Sequence, residues 1–387
     1  MKKFLCSLLT LGMLVVGLGV MPVNAEDAAY PITMNGKSYE TLLDAFDDAP
    51  ASLFSKEIIL NDNIVIRDGE HITNRAGRNI VLNLNGHTVT FSSTYDGTLI
   101  TNEGTLTIKG NGTIDASNNE RATKLIINTA NGIISNKGLT IENGTFKTKT
   151  ENSTNCITNQ GKATIYDGYF FGATALRTGS ESTTTIKNGT FVSEWYPAVD
   201  AEGTITVENG TFKNDSCSSC DPNHWGYAFR SRKDLTFKNG TVIGTQGALA
   251  IAQGTATIEN GHFETVACPE HGDRTAFYAL YVAGEWGNAS ATINGGTFIS
   301  ASKAAVYIGN GNYGGDGGIM ENALCTINDG SFTTKGAESV EVVHLSEGFG
   351  TANIYGGTYC KAVNTDLIPS GYVQTQNENG TYTVSKQ

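Results

Sequence analysis

Two residues separate Cys217 from Cys220, and two separate Cys268 from His271. Three thiols and an imidazole at Cys-x-x-Cys and Cys-x-x-His spacing suit a tetrahedral structural zinc ion, with His224 as an alternative fourth ligand. Export would favour a disulfide between the same thiols instead. A second set of residues carries charge: Arg177, Asp200 and Arg230, with Glu202 and Arg232 two places beyond the last two. Guanidinium forks and carboxylates hydrogen-bond hydroxyls, and aromatic faces cover the apolar side of a sugar ring. Arg177, Asp200, Arg230, Arg232, Trp195, Trp225, Tyr281 and Tyr307 therefore form a candidate saccharide-binding set, with Trp286, Tyr196, Tyr227 and Tyr278 nearby. The competing reading is a salt-bridge ladder that needs no ligand. Catalysis would require carboxylates converging on calcium or on a glycosidic bond. Only Asp200 and Glu202 qualify, with Arg177 and Arg230 beside them, and arginine neighbours oppose a general-acid role. No catalytic residue is assigned.

These residues are placed by a repeat. Thr-Ile-x-Asn-Gly-Thr-Phe or a close variant recurs, as in Thr185-Ile186-Lys187-Asn188-Gly189-Thr190-Phe191 and Thr257-Ile258-Glu259-Asn260-Gly261-His262-Phe263. The last apolar slot runs Val89, Ile114, Phe146, Phe170, Phe191, Phe212, Val242, Phe263, Phe298, Phe332 and Tyr359, with 21 residues as the shortest interval. Alternation within the phrase has period two, and a glycine suited to positive φ sits at its centre, so each phrase reads strand, sharp turn, strand. A further apolar slot precedes each phrase, as at Ala175-Leu176, Ala198-Val199 and Ala248-Leu249. Three short strands per repeat describe one coil of a right-handed parallel β-helix. The expectation is an all-β, single-domain rod of about eleven coils, roughly 50 Å long at the usual strand spacing.

Aligning the third-strand slots gives an outward column of Thr158, Arg177, Asp200, Arg230, Ala250, Tyr281, Tyr307 and Glu341. The two cysteine loops each begin five residues past the Phe slot, at Phe212 and Phe263, and so lie on one side of the rod two coils apart. Cys156 and Cys325 fall in small or inward slots and read as core thiols. A column of threonines (Thr140, Thr164, Thr185, Thr206 and others) resembles an ice-binding rank. The second Thr of each phrase lies beyond the turn, so no two-rank plane is expected. The glycine-rich run 309–318 has Asp316 as its single carboxylate and reads as an insertion rather than a calcium loop.

At the start, Lys2 and Lys3 precede an apolar stretch and a small-residue cleavage site, Val23-Asn24-Ala25, which reads as a secretion signal over 1–25. Residues 26–60 form the expected N-terminal cap, with a short helix opening near Thr41. Residues 61–362 form the β-helix, and 363–387 a closing hairpin around Asn379-Gly380. Loss of the two leader lysines takes the formal charge from −12 to −14, which disfavours nucleic acid and anionic lipid as partners. No organic cofactor and no membrane insertion after signal cleavage are expected. The oligomeric state is open.

Ile80-Val81-Leu82-Asn83-Leu84-Asn85-Gly86-His87-Thr88-Val89, together with Ile368-Pro369-Ser370-Gly371-Tyr372 and Gly380-Thr381-Tyr382-Thr383-Val384, resembles segments of secreted β-helix proteins from Gram-positive anaerobes. The resemblance implies the pectate-lyase-like superfamily fold, shared by polysaccharide lyases, hydrolases, phage tailspikes and adhesins. It further implies a secreted or cell-surface, adhesin-like role with polysaccharide or glycoprotein glycans as partners. The alternatives are a polysaccharide lyase or hydrolase, and a structural surface-layer spacer. Fold alone does not choose among them.

Overall fold

The computed structural model describes residues 30–121, 123–130, 138–150, 154–216, 226–268, 278–309, 322–346 and 348–387. Its strands form three long sheets, two of fourteen strands and one of eleven, and successive members of each sheet come from successive coils. Pairing along the rod is parallel in every sheet, and the antiparallel pairs are confined to the two ends. This is the right-handed parallel β-helix expected from the repeat.

Each coil carries the phrase across the first sheet, through the Asn-Gly turn, into the second sheet. The glycine takes the strain of that turn. Gly168, Gly189 and Gly210 have φ of 139°, 125° and 141°, and a Cβ on Gly168 would lie 2.9 Å from the Phe170 ring. An L side chain there would meet both a disfavoured backbone and a full core. Beyond the turn, the eleven apolar slots from Val89 to Tyr359 align as register partners and are all fully buried. Ile64 continues the series by one coil toward the N-terminus. Phe146, Phe170, Phe191 and Phe212 stack at 5.0, 4.7 and 5.2 Å between centroids, and Phe263, Phe298, Phe332 and Tyr359 at 4.7, 5.0 and 4.9 Å. Each buried ring contributes about 2–3 kcal/mol, and each stacked pair about 1 kcal/mol more.

Val242 interrupts the stack, yet the core does not open. In that coil the first-sheet slot holds Phe237 where its neighbours hold Val207 and Ile258. The Phe237 ring lies 6.1 Å from Phe212 and 5.0 Å from Phe263, bridging the two halves of the ladder from the adjacent sheet. One large and one small residue have exchanged sheets at nearly constant volume.

The turn from the third sheet to the first is held differently. Asn74, Asn102, Asn128 and Asn159 are fully buried, and each Nδ2 of the first three donates to the next Oδ1 at 2.7 Å. Asn159 ends the run by donating to the Thr184 hydroxyl at 2.8 Å. In the third sheet, Ala175, Ala198, Ala228, Ala248, Ala279 and Ala305 are completely buried. Cys156 and Cys325 are buried free thiols, as their slots imply.

The second Thr of each phrase lies in the second sheet, as at Thr190 and Thr211, but the first sheet holds a local pair of ranks of its own. Thr183 with Thr185 and Thr204 with Thr206 are outward pairs on the same strands and in register, so two threonine ranks do share a face there. Lys162 and Leu324 occupy the second rank in other coils and break it.

At the N-terminal end, Thr41 caps the helix Leu42–Asp48 by accepting from the Asp44 amide at 3.1 Å, and Leu42, Ala45 and Phe46 are buried. Ile32–Met34 pairs antiparallel with Lys56–Leu60, joining this cap to the rod. At the other end, Tyr372–Gln376 and Tyr382–Lys386 form the hairpin that pairs antiparallel onto Thr358–Tyr359, covering the edge of the second sheet.

The exchange at Phe237 and Val242 is testable by a mutant cycle in denaturant unfolding. Phe237→Val alone should cost about 2–3 kcal/mol and Val242→Phe alone about 1–3 kcal/mol. The double variant should recover at least about 1 kcal/mol relative to their sum; strict additivity would show that the two positions do not share one volume.

Candidate functional site

The third sheet carries the charged column. Arg177, Asp200 and Arg230 are register partners on Thr174–Thr178, Val199–Ala201 and Tyr227–Ser231. Arg230 holds the Asp200 carboxylate in a fork, with Nε donating to Oδ1 at 3.0 Å and Nη2 to Oδ2 at 2.9 Å. Arg232, in the turn that follows, donates Nη2 to both Asp200 oxygens at 3.2 and 3.1 Å and pairs with Glu202 at 2.6 Å. Arg177 is half exposed and reaches Glu202 at 3.3 Å. The ladder is therefore real, and its centre is Asp200, which is only 6% exposed.

Burial alone would raise the Asp200 carboxyl. The charges and hydrogen bonds of Arg230 and then Arg232 outweigh it and hold the group below the usual aspartate range. A carboxylate so held is a poor proton donor.

Trp286 rests on this cluster. Its indole lies 5.3 Å from the Arg232 guanidinium carbon and 5.7 Å from that of Arg230, two cation–π contacts to one ring. The side chain comes from the turn after Leu280–Ala283, two coils further along the rod. It spans the intervening coil because Ala250 and Ala252 stand there, both buried and too short to obstruct it. Trp286 remains 52% exposed.

Beyond Ala250 the column turns aromatic. Tyr281 and Tyr307 stack at 5.3 Å, Tyr227 stacks on Tyr281 at 5.4 Å, and Tyr278 on Tyr307 at 4.6 Å. Their faces are covered by one another, and Tyr227 and Tyr281 are buried, so they make a packed wall rather than a platform. The next position is His344, not Glu341: His344 is the register partner of Tyr307 and stacks on it at 5.4 Å. Glu341 lies three residues earlier in the chain and pairs with His344 Nδ1 at 2.8 Å. The irregular spacing of the last coil hid this shift. Tyr278, Lys303, Glu341 and His344 then line an open groove of about 480 Å³.

Between Arg230 and Tyr281 is a notch of about 20 Å³, lined by Pro197, Gly226, Tyr227, Arg230, Ala250, Tyr281 and Glu285. Burial pushes the Glu285 carboxyl above the usual glutamate range, against opposing pulls from a Tyr281 hydrogen bond and from Arg230 and Arg232. Glu285 has no signal of its own in the sequence, because it lies in a turn outside the repeat.

No protein-family model, curated protein or solved structure compared with this chain matches it.

Trp195 is half buried beside Tyr196, at 6.3 Å. Trp225, Cys217, Cys220, His224 and His271 lie outside the described residues, as do the leader 1–25 and most of the 309–318 run. Cys268 is described and is 3% exposed. Among the described residues, no group of three or more His, Cys, Asp or Glu side chains is placed to hold a metal ion, and no helix is long and apolar enough to cross a membrane.

Asp200→Asn should destabilise the protein by about 3–5 kcal/mol, since it leaves the largely buried Arg230 guanidinium without its counter-ion and Arg232 with Glu202 alone. Arg177→Ala, at a half-exposed position, should cost no more than about 1 kcal/mol. Because the folded-state pKa of Asp200 is depressed, its contribution is complete above the ordinary aspartate value of about 3.9 and is lost as pH falls through the lower folded value. Thermal melts of wild type and Asp200→Asn should therefore converge at acid pH; a pH-independent gap would contradict the ionic account.

Proposed function

We propose that the protein is exported and binds glycans along the third-sheet face, as an adhesin-like surface protein does. The observation that carries this reading is Trp286. Two guanidiniums lie 5.3 and 5.7 Å from the centre of its indole, those guanidiniums are pinned by a buried carboxylate, and half of the side chain faces solvent. A rigid, pre-ordered aromatic surface binds a sugar ring without the entropy cost of ordering it. Arg177, half exposed at the rim beside Glu202, supplies a fork for hydroxyls. Tyr281, Tyr307 and His344 extend the wall toward the open groove, so the face suits an extended chain.

Hydrolysis or β-elimination is the less supported use of this face, because Asp200 and Glu202 share Arg232 as partner and Asp200 is fully engaged. Release of reducing ends or unsaturated products from pectins or host glycans would favour the enzyme. A rod that serves only as a spacer would bind nothing.

Mature protein recovered from the medium, expected to start at Glu26, should be retarded by at least one polysaccharide in affinity electrophoresis. Trp286→Ala should weaken that retardation at least about tenfold. Unchanged retardation after this substitution would remove Trp286 as the platform.

The paired spacing of Cys217, Cys220, Cys268 and His271 is proposed to hold a structural zinc ion that ties two loops together. Elemental analysis of tag-free protein should find about one zinc per chain. Absence of zinc together with a missing pair of titratable thiols would establish the disulfide instead.

A further inference from the structure

We infer that the notch between Arg230 and Tyr281 reads a single hydroxyl of an uncharged sugar whose ring lies outside it, on Trp286, with Glu285 Oε1 as the acceptor. This rests on the saccharide reading of the face and adds the class of sugar.

The notch is a consequence of register. Arg230, Ala250 and Tyr281 are consecutive partners, and the one small residue between two long ones leaves a gap, walled on the far side by Pro197, Gly226 and Tyr227. At about 20 Å³ it holds one water-sized group and excludes a sugar ring. Only a substituent can enter.

The lining determines which one. Glu285 Oε1 is shielded from solvent and, among the described residues, has no hydrogen-bond partner. Arg232 Nε, beneath Trp286, is in the same condition. Buried polar atoms are nearly always satisfied, so an acceptor at the edge of a notch calls for a donor from outside. A hydroxyl supplies one at the right size.

Charge balance sets the class. Arg177, Arg230 and Arg232 face Asp200, Glu202 and Glu285, joined by ion pairs and by field effects. A uronate carboxylate entering the notch would meet Glu285 as well as Arg230, and an amine Arg230 as well as Glu285, so neither charge finds an undivided partner. The uncharged hydroxyl meets neither penalty. The protein's formal charge of −12 further opposes a polyanionic chain such as a pectate.

The test uses the mature chain and affinity electrophoresis in gels containing galactan, mannan, xylan, a β-glucan or polygalacturonate. Wild type is expected to be retarded by at least one of the neutral polymers and not by polygalacturonate. Glu285→Ala is expected to weaken that retardation about tenfold or more, with its melting temperature close to wild type. Ala250→Val narrows both the notch and the space beneath Trp286 and should weaken it at least comparably. If Trp286→Ala abolishes binding while Glu285→Ala and Ala250→Val leave it unchanged, the notch is overturned and the platform stands. Preference for polygalacturonate overturns the uncharged class. No retardation of wild type by any polymer overturns the saccharide reading itself, and the notch with it.

Discussion

Parallel strands pair only in register, and in this rod that single requirement binds every coil to turn where the previous coil turned. The cost falls on the turn between the first and second sheets. Gly168, Gly189, Gly210, Gly240 and Gly261 all hold φ between 125° and 141°, and each stacks on the glycine of the neighbouring coil within about 3 Å of where a Cβ would lie. Once that turn repeats, the Phe slot must repeat as well, and rings fall into contact at centroid spacings of 4.7–5.2 Å. The ladder follows from the turn, and the turn follows from the pairing.

The same constraint explains why departures from the repeat are compensated or else placed where they do no harm. A valine in the Phe slot would leave a ring-sized void, and Phe237 fills it from the neighbouring sheet. Chain length is added at the turns instead. Coils grow beyond 21 residues at the turns on either side of the third sheet, before it after Phe212 and Phe263, and after it between Asn128 and Gly138 and between Gly309 and Ala323. The third sheet is thus the side on which side chains vary outward over a buried inner row of Ile, Leu, Val and Phe. Ala250 and Ala252 illustrate the consequence: two small residues in one coil allow Trp286 to lean back over the coil beneath and meet two arginines.

How far this was legible depends on whether a feature obeyed the period. Fold, inner slots, capping helix and closing hairpin could all be read, because each is written in alternation, glycine placement or a capping threonine. The Arg177–Asp200–Arg230 column was equally readable, since register follows from counting. Its pairing was only partly so. Arg232 shares Asp200 with Arg230 and also holds Glu202, a choice set by side-chain reach from the turn rather than by strand position. Where spacing became irregular, counting failed: the slot after Tyr307 belongs to His344, three residues beyond the position that the interval suggested. Glu285 and Trp286 lie in a third-to-first turn longer than those at Arg232 and Ala252, so counting along the repeats could not place them against residues two coils earlier.

A ladder of ion pairs and a ligand surface are usually weighed as alternatives, but here the first makes the second possible. An exposed indole on a mobile turn would lose part of its binding energy to ordering. Against guanidiniums held by a carboxylate at 2.9–3.2 Å, the ring has a fixed plane before any ligand arrives. Asp200 is too buried and too strongly paired to touch a sugar. It sets the arginines, the arginines set Trp286, and only the last of these meets solvent over half its surface. In the proposed glycan site the buried carboxylate therefore serves as support and the exposed ring as contact, with the parallel register fixing Asp200 and Arg230 side by side.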